Sequence, residues 1–123
     1  MSKIIPILFW LLAIIHVIPA LSGMSTERMS SLYGISSDDK ALMTLLQHRA
    51  VLFGLVAAAC AYAAHTVNVR WPVLVGTIIS MGSFIAIALP RGQASGALGK
   101  IIIVDAIGLI IAALLIILLI KVK

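Results

Sequence analysis

Four apolar blocks, each long enough to cross a lipid bilayer, constrain this chain more than any other feature. They occupy about residues 3–22, 41–65, 71–90 and 97–121. A helix needs about 20 apolar residues to cross the hydrocarbon core, and in lipid it satisfies its backbone hydrogen bonds internally. The pattern therefore predicts an all-α fold, an integral membrane four-helix bundle with up-down-up-down topology, as a single domain over residues 1–123.

Charge and cysteine content narrow the function classes. Only 11% of the residues are charged, whereas soluble domains carry about 25%. The net charge of +5 comes from single basic residues between the apolar blocks, which is typical of anchors at the membrane surface. The one cysteine, Cys60, excludes an internal disulfide. We therefore expect the lipid bilayer as a partner and no nucleic acid.

The first block and the orientation of the chain leave alternatives open. Residues 20–22 resemble a signal-peptide cleavage site, but the apolar stretch is long for a signal peptide, so a span is predicted. The basic residues divide equally between the two sides once Arg49 is placed inside its span, so the positive-inside rule does not orient the chain. Cytoplasmic termini are expected because the longest loop, which holds three of the four acidic residues, would then face outward.

The longest polar segment lies between the first two blocks. Residues 25–33 are predicted to form a short interfacial helix, with Ser25 as its cap and with Met29 and Leu32 on its apolar side. Ser37 is predicted to cap the second span.

Small residues at helical spacing predict where helices approach each other closely in lipid. They include Gly54, Gly76 and Gly108. Packing within one bundle is the simpler explanation, and a homodimer formed through the same helix faces is the alternative that the sequence leaves open.

Polar residues inside the spans are predicted to share one depth. They are His16, His48, Arg49, Ser83 and Asp105. Their distances from the span ends place them about 9–12 Å below one membrane face. Because ionisable groups in a membrane usually face the bundle interior, paired or lining a cavity, we predict a ligand-binding polar layer there. Glu27 is expected at its mouth, and no metal site is expected.

Arg49 and Asp105 are the natural pair in this layer. Their opposite charges and equal depth predict an ion pair, which is either a purely structural contact or part of a pocket where Arg49 anchors an anion or headgroup. His48 lies about 100° around the helix from Arg49, so the two side chains cannot point at one place.

Two histidines at equal depth, His16 and His48, raise the question of haem b. A haem needs space, whereas His16 lies in a stripe of alanines, so no cofactor is expected. His16 is predicted instead to donate a hydrogen bond to the Ile15 carbonyl, which Pro19 releases from the helix.

Several short motifs carry a family resemblance. They are Glu27-Arg28-Met29, Leu32-Tyr33-Gly34, His48-Arg49-Ala50-Val51-Leu52-Phe53-Gly54 and Val104-Asp105. The chain resembles the small bacterial four-span proteins of the DoxX-like type, which implies a multi-pass protein of the bacterial inner membrane. Some similar proteins are labelled phosphopantetheine adenylyltransferase, a soluble enzyme with an HxGH motif that this sequence lacks, so that activity is not expected.

Three functions are compatible with these observations. The first is a non-catalytic membrane protein that binds a lipid-like or small amphipathic ligand in the polar layer, or an accessory subunit. A small dimeric proton-linked transporter is the first alternative. A membrane enzyme acting on a lipid or quinone, with His48 or Asp105 as its acid–base group, is the second. Sequence motifs of soluble enzymes are absent, so a binding function is predicted.

Overall fold

The computed structural model describes residues 3–22, 25–33, 38–92 and 96–122. Within these ranges the chain forms five α-helices: α1 (Ile4–Ser22), α2 (Thr26–Tyr33), α3 (Lys40–His65), α4 (Arg70–Ala88) and α5 (Gly96–Lys121). Single 3₁₀ turns follow α3 at Val67–Val69 and α4 at Leu89–Arg91. None of the described residues forms a β-strand. The predicted all-α fold class is confirmed, and the four long helices coincide with the four apolar blocks.

Four segments of the described chain are long and apolar enough to cross a membrane. They are Ile4–Leu21, Lys40–His65, Val67–Arg91 and Gly99–Lys121. Large apolar side chains also cover their outer surfaces, as at Ile14, Leu55, Ile79 and Ile110. Helices that are apolar on every side are typical of membrane spans, because a helix in water needs a polar outer face. These properties fit a multi-pass membrane protein.

Side-chain caps define the starts of the two helices that follow the longest polar segment. The Arg28 N–H donates to the Ser25 hydroxyl (3.4 Å), as expected for a cap at Ser25. At the start of α3, the Leu42 N–H donates to the Asp39 carboxylate (3.0 Å). Asp39 is therefore the cap, and the prediction of Ser37 was wrong, because a carboxylate caps equally well and also complements the helix dipole. Ser37 and the side chains of Met29 and Leu32 lie outside the described residues.

The long helices share one apolar core. α1 contacts α3 and α5, α4 contacts the same two helices, and α2 contacts α1, α3 and α5. Buried side chains from each long helix meet in this core, including Phe9, Cys60, Leu74 and Leu115. The core therefore joins elements that are far apart in sequence.

Two side chains donate hydrogen bonds to residues 63–65, at the C-terminal end of α3. The Trp10 indole N–H of α1 donates to His65 Nε2 (3.0 Å). The Arg70 guanidinium donates from Nε to the Ala63 carbonyl (2.9 Å) and from Nη2 to the Ala64 carbonyl (3.0 Å). These hydrogen bonds satisfy two carbonyl groups in the last turn of α3 and connect this end of the helix to α1 and α4.

The glycines differ in how closely they are packed. A Cβ atom added at Gly108 would collide with the Met81 side chain, so α5 is closely packed against this side chain of α4 at Gly108. A Cβ at Gly54 would lie 3.8 Å from the Ala20 Cβ, an ordinary contact. At Gly76 it would meet nothing within 4 Å. The prediction that Gly76 packs closely within the bundle was therefore wrong, because this residue is exposed on α4; the homodimer alternative stays a prediction.

Candidate functional site

His16 is the most deeply buried polar residue of the predicted layer, with 1% of its surface exposed. Its Nδ1 lies 2.8 Å from the Leu12 carbonyl oxygen. Since a carbonyl can only accept, Nδ1 carries the proton and donates it. The predicted acceptor, the Ile15 carbonyl, was wrong, because the carbonyl four residues earlier lies within reach of the ring. Nε2 is buried and has no hydrogen-bond partner among the described residues.

A cavity of about 120 Å³ lies beside His16, between α1 and α5. Asp105 of α5, which is only 8% exposed, lines this cavity together with Phe53 of α3. The exposed Lys100 also borders it, and apolar residues such as Ile101 form most of the remaining wall. This α1–α5 cavity therefore combines two buried polar side chains with apolar walls.

A separate groove of about 320 Å³ lies between α3 and α4 and contains Arg49. The Arg49 Cζ atom lies 4.9 Å from the centroid of the Phe53 ring and 4.8 Å from that of Phe84. Both distances are within the range in which a cation is attracted by an aromatic face. The α3–α4 groove therefore holds a positive charge in place among apolar side chains.

The two serines of this groove lie on α4. The Ser83 hydroxyl donates to the Ser80 carbonyl (3.2 Å), and both residues line the groove. Their hydroxyl oxygens add polar atoms to a surface that is otherwise apolar apart from Arg49.

Phe53 lines both spaces and separates them. Its ring centroid lies 5.8 Å from that of His16 on one side, and the Arg49 guanidinium lies over the ring. Sequence reasoning missed Phe53 and Phe84. The available signal for Phe53 was its position four residues after Arg49, since side chains at this spacing meet on a helix surface; no sequence signal linked Phe84 to Arg49.

Arg49 and Asp105 lie in the two spaces that share Phe53 as a lining residue. Their opposite charges are expected to attract each other at this range. The direct ion pair that the sequence predicts stays a prediction. The guanidinium contacts Phe53 and Phe84 in the groove, whereas the carboxyl group lines the cavity on the other side of Phe53.

The charge interaction between Arg49 and Asp105 is measurable by a double-mutant cycle. Asp105→Asn and Arg49→Gln are each expected to lower thermal stability in detergent. The double mutant should lose less than the sum, with a coupling energy of about 1 kcal/mol. In the matched control, Asp105→Asn is combined with Lys121→Gln, at the far end of α5 and about 24 Å away along the helix. Strict additivity in both pairs would contradict the interaction.

Two residues of the predicted site lie elsewhere. His48 is exposed on the surface of α3, and Glu27 is exposed on α2. Neither borders the α1–α5 cavity or the α3–α4 groove. The structure thus divides the predicted layer: His16 and Asp105 share the cavity, and Arg49 and Ser83 share the groove.

Metal ligands do not cluster in the part of the chain that the structure describes, which contains no group of three or more His, Cys, Asp or Glu side chains able to hold an ion. Comparison of the chain with protein-family models, curated proteins and solved structures finds no match. Function must therefore be inferred from the cavity and the groove themselves.

Proposed function

We propose that this protein is a non-catalytic, multi-pass membrane protein that binds an anionic amphiphile in the α3–α4 groove. The ligand would be lipid-like, with a negatively charged headgroup and an apolar chain. The observation that carries this proposal is the position of Arg49, whose guanidinium contacts the rings of Phe53 and Phe84 in a groove with mainly apolar walls.

The proposed topology is up-down-up-down across the bilayer. Contacts of Trp10 with His65 and of His16 with Phe53 support opposite directions for α1 and α3, since the two sequences run in reverse order along the interface. The contact of Arg49 with Phe84 near one end of α3 and α4 gives the same support for that pair. The resemblance to DoxX-like proteins adds a bacterial inner membrane to the proposal. Cytoplasmic termini are proposed because the longest loop, with three of the four acidic residues, would then face outward.

An anion is the ligand group that suits Arg49 best. A guanidinium presents five N–H donors in a planar fork that matches a carboxylate or phosphate. In an apolar groove a cation attracts an anion more strongly than it does in water, because the low-dielectric surroundings screen the charge less. The negative headgroup of an amphiphile would contact the guanidinium while its chain lies along the apolar walls, so one molecule matches both parts of the groove.

The hydrogen bonding of the groove favours binding over catalysis. A serine nucleophile needs a base that accepts its proton. The Ser83 hydroxyl instead donates to the Ser80 backbone carbonyl, and no imidazole or carboxylate is among the described residues that line the groove. The groove thus offers a cation and apolar contacts, which suffice for recognition of an amphiphile.

Native mass spectrometry of the purified protein tests this proposal. The protein is equilibrated in dodecyl maltoside micelles that contain equal amounts of phosphatidylglycerol and phosphatidylcholine. We expect retention of phosphatidylglycerol over phosphatidylcholine by about tenfold, the effect of one charge-assisted contact. Arg49→Gln should abolish this preference, and Arg49→Lys should retain part of it, because a lysine keeps the charge but not the planar fork.

Arg91→Gln is the matched control, because Arg91 is an exposed arginine on the turn after α4 and does not border the groove. Its preference for phosphatidylglycerol should equal that of the wild type. Equal losses in the Arg49 and Arg91 variants would mean that general surface charge attracts the lipid, and the proposal would be wrong. An absence of any lipid preference in the wild type would also overturn it.

A further inference from the structure

We infer that the α1–α5 cavity is a second binding site, which takes a small neutral molecule with a hydroxyl group that donates to His16. This goes beyond the proposed function, because the ligand class differs and the cavity lies on the other side of Phe53 from the groove. The inferred ligand is the size of one aromatic ring, such as a phenol.

The hydrogen-bonding state of His16 defines what the ligand must offer. Nδ1 donates its proton to the Leu12 carbonyl at 2.8 Å. In the neutral imidazole the other nitrogen, Nε2, is then an acceptor with a free lone pair. It is fully buried and has no partner among the described residues, although buried acceptors are nearly always satisfied in folded proteins. A hydroxyl donor in the adjacent cavity would satisfy it.

The size and walls of the cavity fit one ring. Its volume of about 120 Å³ is close to the roughly 150 Å³ of an apolar cavity that holds benzene. Phe53 supplies an aromatic wall, and Ile15 and Ile101 supply aliphatic walls. A hydroxyl-bearing ring can therefore place its apolar body against these residues and its polar atom at His16.

The second polar residue of the cavity also selects against an anion. Asp105 lines the same space, and a carboxyl group can accept a hydrogen bond in either charge state. Two groups that can accept, with no buried Lys or Arg among the described residues of the lining, favour a neutral hydroxyl compound over a carboxylate or phosphate. Among the described residues that border the cavity, Lys100 is the only Lys or Arg, and its side chain is exposed. Its charge is therefore outside the buried part of the cavity.

Nitrogen-15 NMR of histidine-labelled protein in dodecyl maltoside micelles tests the site, with phenol as the probe and toluene as its counterpart without a hydroxyl. The chain has three histidines, and the variants His48→Gln and His65→Gln assign their signals. Phenol should shift the His16 Nε2 signal in a saturable way. Toluene should leave it unchanged at the same micellar concentration, and the exposed His48 should not respond.

Two variants of α5 test the position of the site without altering His16. Ile101→Phe fills the cavity and should keep phenol from donating to His16. We expect the half-saturating phenol concentration to rise by about tenfold, the effect of losing that one hydrogen bond. Ile110→Phe adds the same volume at an exposed position of the same helix and should have no effect.

Three results would overturn the inference. The first is an equal response of His16 and His48 to phenol, which would indicate partitioning into the micelle. The second is equal phenol binding by the Ile101→Phe and Ile110→Phe variants. The third is a His16 Nε2 signal that is already hydrogen-bonded without phenol and stays unchanged on its addition, which would mean that water occupies the cavity. If Ile101→Phe does not fold, the comparison of phenol with toluene in the wild type decides.

Discussion

Replacing Gly108 with leucine is expected to destabilise the bundle by about 3 kcal/mol, at the upper end of the range for overpacking a core. A Cβ atom at this position would collide with the Met81 thioether and would lie 3.7 Å from Ile15 Cδ1. Met81 is 1% exposed, so a large new side chain forces α5 away from α4 and α1. Circular dichroism during thermal unfolding in detergent measures the effect.

Gly76→Leu is the matched control for this substitution. Both glycines lie within long helices, so replacing either one with leucine raises helix propensity by a similar amount. A Cβ at Gly76, however, meets nothing within 4 Å. We expect a change of less than about 0.5 kcal/mol for Gly76→Leu. Gly108→Ala should fall between the two, since a methionine side chain is flexible enough to move away from one methyl group. Similar losses of stability in Gly76→Leu and Gly108→Leu would contradict the prediction that Gly108 is more closely packed.

The Gly108 substitution also connects packing with the α1–α5 cavity. Gly108 lies three residues after Asp105 on α5, and Ile15, which its Cβ would approach, is part of the cavity wall. Moving α5 outward separates Asp105 from His16. We therefore expect Gly108→Leu to weaken phenol binding as well as stability, whereas Gly76→Leu should affect neither.

Arg70→Gln is expected to cost about 2–3 kcal/mol, the second-largest effect. The Arg70 guanidinium donates to the carbonyls of Ala63 and Ala64 at 2.9 and 3.0 Å. The last carbonyls of a helix have no partner inside the helix, and both of these alanines are buried. Removing the guanidinium loses two charge-assisted hydrogen bonds and leaves buried acceptors unsatisfied. It also removes a cation from the negative end of the α3 dipole.

Arg70→Lys tests whether the planar guanidinium or only its positive charge stabilises the end of α3, and Arg91→Gln is the control for loss of an exposed charge. Lysine keeps the positive charge but cannot reproduce the two parallel N–H groups, so we expect about half of the loss seen with glutamine. Arg91 is exposed in the turn after α4, and its replacement should change the unfolding temperature very little. If Arg70→Gln unfolds at the same temperature as Arg91→Gln, the guanidinium does not stabilise the end of α3.

The sequence by itself determined the helices, because the signals that define them are local. The four apolar blocks predict the four long helices. Ser25 predicts the start of α2, since a hydroxyl can accept a hydrogen bond from the N–H three residues later without any tertiary contact. The expectation that His16, Arg49 and Asp105 share one depth also depends only on block lengths and on the rise per residue, and it stays a prediction.

Only the tertiary structure decided which of these residues share a space. Membrane helices are apolar on every side, so hydrophobic periodicity does not indicate which face points inward. The rotation of each helix is instead set by side-chain packing, such as the contact of α5 with Met81 at Gly108. This packing places His16 and Asp105 in the α1–α5 cavity and leaves His48 exposed. It also brings Phe84, 35 positions after Arg49 in the chain, against the guanidinium, a contact that no local pattern could predict.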